Sequence, residues 1–221
     1  SINDFRAMGY NAEALANYMT LLGWSVPEGM EERFTLEEAA ASFSFDRVNK
    51  AGARFDWDKL NWLNAQVLHN WSHDQLLESL IPLWHDQGWS LPDDRSWAVT
   101  LAELLGPSLT LLNDGVDQAR PFFDEPPLES DALAQIESNG ARDALQALIV
   151  LLDATPWDGM DVARGQDMIG AAAKTAGVKK GVLMKSLRAA LLGRLQGPDL
   201  MTTWSLLARI GCDRQRLNRC L

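Results

Sequence analysis

Two cysteines and three histidines in 221 residues leave little room for redox or metal chemistry. Cys212 and Cys220 are too few and too close in sequence to staple a chain of this length, and their spacing matches no zinc or redox pattern. A reducing, cytoplasmic setting fits that scarcity. His69 and His73 are four apart, but no carboxylate or cysteine at suitable spacing completes a metal set, Ser72 between them reads as a helix cap, and His85 stands alone. No metal is expected. No stretch approaches the ~20 consecutive apolar residues that a membrane span needs, and the opening Ser1–Tyr10 is polar, with Asp4 and Arg6, unlike a secretion signal. Runs that alternate apolar and polar residues between turn signals are missing too, which excludes a sheet. Internal repeats and low-complexity segments are absent. The acidic pairs Glu31-Glu32, Glu37-Glu38 and Asp93-Asp94 have no nucleophile or leaving-group pocket placed beside them and read as solvated faces.

What is present is helical. A hydrophobic content of 47% suffices for a real core. Leu15, Tyr18, Met19 and Leu22 recur at helical spacing, as do Leu60, Leu63, Val67 and Leu68. Thr35 with Glu38 forms a capping box ahead of Ala39 and Phe43. Ser72 caps a helix carrying Leu76, Leu77, Leu80, Leu83 and Trp84, in which Pro82 predicts a kink or an early stop. Leu101, Leu104 and Leu105 close a helix at Gly106, and Leu145, Leu148, Ile149 and Leu152 form another that ends near Pro156. Trp57, Trp62 and Trp71 read as core aromatics on or beside the Leu60 helix. The fold class is all-α. Asp124-Glu125-Pro126-Pro127 interrupts the pattern and marks a domain junction, whereas Gly23–Gly29 and Gly88–Asp94 read as loops within domains. Ser1 is no initiator methionine and runs straight into a helical pattern, as expected of a fragment.

Charge is divided unevenly. From Met160 to Leu221 there are eleven Lys and Arg against four Asp and Glu, a net of +7, whereas Ser1–Gly159 carries nine against twenty-six, a net of −17. A cationic end on an acidic protein suits a polyanion, because the acidic remainder repels that ligand elsewhere and so orients it. The plainer reading is a solvated helix face.

Within that end, Lys179 to Arg188 opens a helix whose apolar stripe is Leu183, Leu187, Ala190 and Leu191. Lys185 and Arg188, at i and i+3, share another face and are expected to point outward. Lys179 and Lys180 sit at the helix N-terminus, where unpaired backbone N–H groups favour an anion. Gly193 to Leu200 follows as a turn with two glycines and a proline, open to close approach by a base, or simply the connection of an ordinary helix pair. Only Trp204 is nearby, so an aromatic platform for single strands is not evident. Recognition would fall to Arg hydrogen bonds and apolar packing.

The pattern Lys180-Gly181-x-Leu183-Met184-x-x-Leu187-Arg188-x-Ala190-Leu191-x-Gly193-Arg194-x-x-Gly197-Pro198-x-Leu200 resembles the C-terminal anticodon-binding domain of bacterial-type glutamyl-tRNA synthetases, a class I aminoacyl-tRNA synthetase family. Tyr10-Asn11-x-Glu13-Ala14-Leu15-x-Asn17-Tyr18-x-x-Leu21-Leu22-Gly23-Trp24 is similar to the helix that follows the family's catalytic lysine loop. Phe45-Asp46-Arg47-Val48-Asn49-Lys50-x-x-Ala53-x-Phe55-Asp56-x-x-Lys59-Leu60-x-Trp62-Leu63-Asn64 is similar to its stem-contact region. The three blocks stand in the family's order and span essentially the whole chain.

The resemblance implies residues 1–68 as the end of a stem-contact domain, 69–125 as a first helical anticodon-binding part and 126–221 as a second, of the helix-cage type. It implies that Arg188, Gly197, Pro198, Leu200 and Gly106 lie at the anticodon, with Arg188 on a base and Pro198 and Leu200 packing against bases. Lys179, Lys180, Lys185 and Arg194 are assigned to phosphates, and Asn49 and Lys50 to the inner corner of the tRNA. The family's His-x-Gly-His and Lys-x-Ser-Lys signatures, which bind ATP, are absent from this sequence. The resemblance therefore implies a tRNA-binding piece, inactive alone and without a cofactor, of a glutamate-tRNA ligase that uses ATP and Mg. Members restricted to the glutamate tRNA place an arginine near the junction of the two anticodon-binding parts; no Arg or Lys lies between Arg95 and Arg120 here. A parent that also charges the glutamine tRNA is the expectation, since a missing bidentate donor forfeits about 1–3 kcal/mol of base preference. The expected partners are tRNA-Glu and tRNA-Gln, with no membrane and a monomeric chain. The competing reading is a helical adaptor that docks an acidic protein through its basic end.

Overall fold

A computed structural model describes all residues, Ser1–Leu221. Thirteen α-helices follow one another: α1 (Ile2–Met8), α2 (Ala12–Gly23), α3 (Leu36–Ser42), α4 (Trp57–Asn70), α5 (His73–Asp86), α6 (Arg95–Leu105), α7 (Asp114–Asp117), α8 (Ser130–Ile136), α9 (Ala141–Ala154), α10 (Val162–Ala176), α11 (Lys180–Leu192), α12 (Leu200–Arg209) and α13 (Asp213–Asn218). Short 3-10 turns lie at Phe45–Arg47, Gly106–Ser108 and Arg120–Phe122. The all-α expectation holds, and the sole β-type pairing is a bridge between Trp24 and Val48.

The chain forms two compact units. One comprises Ser1–Gly88 and Leu105–Gln118; the other comprises Trp89–Leu104 and Ala119–Leu221. This partition by packing differs from the three stretches implied by the resemblance, and the Pro126-Pro127 break lies inside the second unit.

In the first unit α2 and α4 bury Tyr10, Ala14, Tyr18, Leu60, Leu63 and Val67 together. The stripe of α4 meets that of α2 because residues three and four apart share a helix face. Asn64, buried among them, accepts from the Asn11 backbone N–H at 2.8 Å and donates to the Thr110 carbonyl at 2.6 Å. Asn17 likewise donates to the Glu32 carbonyl and accepts from the Phe34 N–H. A buried amide that satisfies two backbone strands fixes loops that no apolar contact would orient.

Two sequence expectations are revised here. Of the kink or early stop expected at Pro82, the early stop does not occur, and α5 runs on to Asp86. An interior proline costs about 3 kcal/mol or more, and the burial of Leu77, Leu80 and Trp84 on one face offsets it. Trp57 and Trp62 are 48% and 47% exposed and are not core. The buried face of α4 is set by Leu60, Leu63, Asn64 and Val67, and Trp62, two residues beyond Leu60, lies on the opposite side. Trp71 is partly buried against the α2–α4 cluster.

In the second unit α11 lies at the centre, with α8, α9, α10, α12 and α13 around it. Leu183, Leu187, Ala190 and Leu191, the predicted stripe, are all fully buried. Trp97 of α6 donates from its indole nitrogen to the Leu206 carbonyl at 2.8 Å, which ties α6 to α12. Trp204 packs on Trp157 and donates to the buried Asp213 carboxylate at 2.9 Å.

Candidate nucleic-acid interface

Helix α11 starts at Lys180 with Lys179 at its N-cap, and the Lys179 side chain makes no cap hydrogen bond. The Val182 N–H bonds the Lys179 carbonyl at 2.9 Å, so no side chain of the cap competes for the N–H groups of Lys180 and Gly181 ahead of it. Lys179, Lys180, Lys185 and Arg194 are exposed. Other cations of the basic end are engaged with acids: Arg209 with Asp94 at 2.9 Å, Arg214 with Asp153, and Arg219 with Glu125 at 3.8 Å. The positive field open to a ligand therefore falls on α11 and the turn after it, together with Lys174, exposed in the last turn of α10. Of the three acidic pairs read as solvated, Asp94 holds Arg209, Glu32 holds Lys59 at 2.8 Å, and the first turn of α3 carries Glu37 and Glu38.

The turn is rigid. Gly193 ends α11 in the left-handed region at φ 72°, and a Cβ there would stand 2.1 Å from the Pro127 carbonyl oxygen. The Gly193 carbonyl accepts from the Glu129 N–H at 2.8 Å. At the far end, the Asp199 carboxylate caps α12 by accepting from the Thr202 N–H and hydroxyl.

Arg188 departs from the expected outward display. It is half-buried, and Nη1 donates to the Pro198 carbonyl at 2.6 Å. Burial holds its guanidinium below the ordinary arginine value, opposed by the nearby Asp199 charge. A Cβ at Gly197 would come within 2.6 Å of Leu192 and 3.3 Å of Arg188 Nη1, so the turn lies directly over the side chain. Leu200 departs as well: it is 5% exposed and belongs to the core, whereas Pro198 is half-buried. The reason is the cap at Asp199, which turns the first residue of α12 inward.

The structure brings Lys179, Lys180, Lys185, Arg188, Arg194, Gly197, Pro198 and Leu200 onto one helix and one turn. Gly106, Asn49 and Lys50 belong to the first unit. Asn49 is exposed, yet its amide donates to the Leu22 carbonyl and accepts from the Ser25 hydroxyl, anchoring the loop after α2, and Lys50 is exposed beside it. The two thiols are pushed up by burial and are not activated as nucleophiles. Sequence reasoning missed Arg216, Arg219 and Glu129, all of which fasten the turn or the end of α11. It treated the terminal arginines as undifferentiated charge.

Residues 75–221 match the anticodon binding domain family. The chain belongs to that family. Its residues 1–62 match the catalytic domain of class I (E and Q) tRNA synthetases. A glutamate–tRNA ligase from Synechococcus sp. (strain WH7803) is 72% identical across this whole chain, which covers 46% of that protein. One from Prochlorococcus marinus (strain MIT 9303) is 68% identical over the same share. The solved glutamate tRNA ligase from Elizabethkingia meningosepticum CCUG26117, in complex with its amino acid, superposes with a TM-score of 0.86 at 26% identity, over 98% of this chain and 42% of that one. The chain spans about half the length of the curated relatives it matches. In this anticodon-binding fold, α11 and its turn are the elements quoted above for the family likeness, and nothing in the comparisons supports the adaptor reading.

Proposed function

We propose that this chain is the tRNA-reading part of a glutamate-tRNA ligase and holds the anticodon arm on α11 and the Gly193–Leu200 turn. The observation that carries the reading is the set of exposed cations on an anticodon-binding fold: Lys179, Lys180, Lys185 and Arg194 line one helix start and one turn, while other terminal arginines are paired with acids. Lysines at a helix N-terminus oppose the helix dipole. A bound phosphate reverses that penalty by accepting from the N–H groups of Lys180 and Gly181 and from the ammonium groups together.

The parent reaction joins glutamate to tRNA with ATP and Mg, and this chain contributes binding and orientation to it. Residues 1–68 serve as the stem-contact end, with Asn49 and Lys50 at the inner corner; residues 69–125 and 126–221 serve as the two anticodon-binding parts, with Gly106 in the first. Because no Arg or Lys lies between Arg95 and Arg120, the third anticodon base meets no bidentate donor there, and both tRNA-Glu and tRNA-Gln are accepted by a monomeric, cytoplasmic protein.

Filter binding of the chain to tRNA across a salt series tests this. Four phosphate contacts give a slope of log K against log salt of about −3, with tRNA preferred to duplex DNA. Salt-independent binding, or equal affinity for duplex DNA, refutes the reading. A strong preference for tRNA-Glu over tRNA-Gln refutes the relaxed third-base specificity alone.

A further inference from the structure

Arg216 lies on α13, almost wholly buried at 3% exposure. Its Nη1 donates to the Leu191 carbonyl at 2.8 Å and its Nη2 to the Asp124 carbonyl at 3.3 Å. Arg219, at the end of the same helix, donates from Nη1 to the Pro126 carbonyl at 2.6 Å and from Nη2 to the Ala190 carbonyl at 3.3 Å. Each guanidinium thus joins the last turn of α11 to the segment Asp124–Pro126. The same segment continues to Pro127, whose carbonyl meets Gly193, and to Glu129, whose N–H bonds the Gly193 carbonyl.

We infer that Arg216 and Arg219 are positioning residues that set the Gly193–Leu200 turn for anticodon discrimination. This inference rests on the proposed function. Burying a guanidinium is expensive even with a carboxylate such as Glu125 at 3.8 Å from Arg219, and apolar side chains of similar volume fill such a space at lower cost. Burial does hold the Arg216 guanidinium below its ordinary value. What the planar fork adds is direction: two donors at fixed angles on two chain segments, a task one ammonium group cannot perform. The carbonyls of Ala190 and Leu191 fall in the terminal turn of α11, where acceptors lack intrahelical partners and a cation complements the dipole. Both guanidiniums face backbone carbonyls at the end of α11 and in Asp124–Pro126, so each acts through the seat of the Gly193–Leu200 turn on the Asp124–Glu129 segment. Loss of that seat moves the turn, takes Gly197, Pro198 and the Arg188 guanidinium that Pro198 holds away from the bases, and leaves the lysines at the start of α11 on phosphates.

The test compares Arg219→Lys and Arg216→Met with the unaltered 221-residue chain, using a glutamate tRNA transcript and the same transcript with a scrambled anticodon. The ratio of the two dissociation constants should fall at least about fivefold in both variants. The salt slope and the affinity for the scrambled transcript should stay within about twofold, because phosphate contacts are intact. Equal weakening of both transcripts, or an unchanged ratio, overturns the inference. Arg219 is partly exposed and its lysine variant keeps the charge; if Arg216→Met unfolds by circular dichroism, the Arg219→Lys ratio decides alone. Failure of the unaltered chain to prefer the intact anticodon refutes the functional reading itself, a distinct outcome.

Discussion

Arg188 holds the carbonyl of Pro198 at 2.6 Å, so the side chain assigned to a base and the residue assigned to pack beside it are bonded to each other. The bond closes the turn over the guanidinium and orients the remaining N–H groups. Arg188→Lys keeps a charge and loses the fork. Affinity for anticodon-matched tRNA should fall about 5–100-fold, the worth of one bidentate contact, with a much smaller loss for tRNAs of other anticodons. Equal losses for every anticodon contradict the assignment.

Lys180→Ala should behave in the opposite way. Lys180 is exposed at the first position of α11 and has no geometry for base selection. All tRNAs should weaken alike, and the salt slope should shrink by about one unit. Binding isotherms at four or five salt concentrations provide the check.

Gly193→Ala tests the rigidity of the turn. The left-handed backbone costs about 1–2 kcal/mol for a residue with a Cβ, and the approach to the Pro127 oxygen adds about 1–3 kcal/mol as an overpacking clash. Urea denaturation should report a midpoint lowered accordingly, with tRNA affinity reduced beyond the loss seen for Lys180→Ala. A variant as stable as the parent chain would mean the segment at Pro127 can yield.

Asp213 makes stability depend on pH. Burial pushes its carboxyl up, against the pull of the Trp204 indole N–H and the backbone N–H groups of Arg214 and Asp213. A raised folded value gives stability that is fully present below the unfolded value, near 3.8, and is lost as pH rises through the folded value. The chain should therefore gain stability relative to Asp213→Asn as pH falls from 7 into the range above 3.8. Asp94 works the other way: hydrogen bonds from Ser96 hold it below its ordinary value, so its contribution fades only as pH falls beneath 3.8. Parallel denaturation midpoints for the two proteins between pH 7 and 4.5 would refute the role given to Asp213.

Local chemistry was the legible part. Ser72 and Thr35 cap their helices because a hydroxyl accepts from an N–H three residues on, a relation contained in four residues of sequence. The capping box at Thr35 is only half made, since Glu38 supplies its N–H and no return bond from its side chain. The stripe of α11 was legible because period alone decides which residues share a face. The early stop at Pro82 does not occur because the burial that holds α5 together comes from residues far along the chain, such as Gly115 against Leu80 and Trp84. Arg188 and Leu200 misled for a similar reason: a sequence marks them as cation and hydrophobe, but the cap at Asp199 and the carbonyl of Pro198 decide which way they turn. Partner choice among Arg209, Arg214, Arg216 and Arg219 has no local signature, and these four set the candidate interface by what they hold or neutralise.

The bond from Trp97 to Leu206 spans 109 positions. On the ribosome, α6 emerges with its indole donor unsatisfied and waits for α12, 109 positions further on, to receive it. The second unit consequently closes only after α12 is made, and a nascent chain halted before α12 leaves the Trp97 indole without its acceptor.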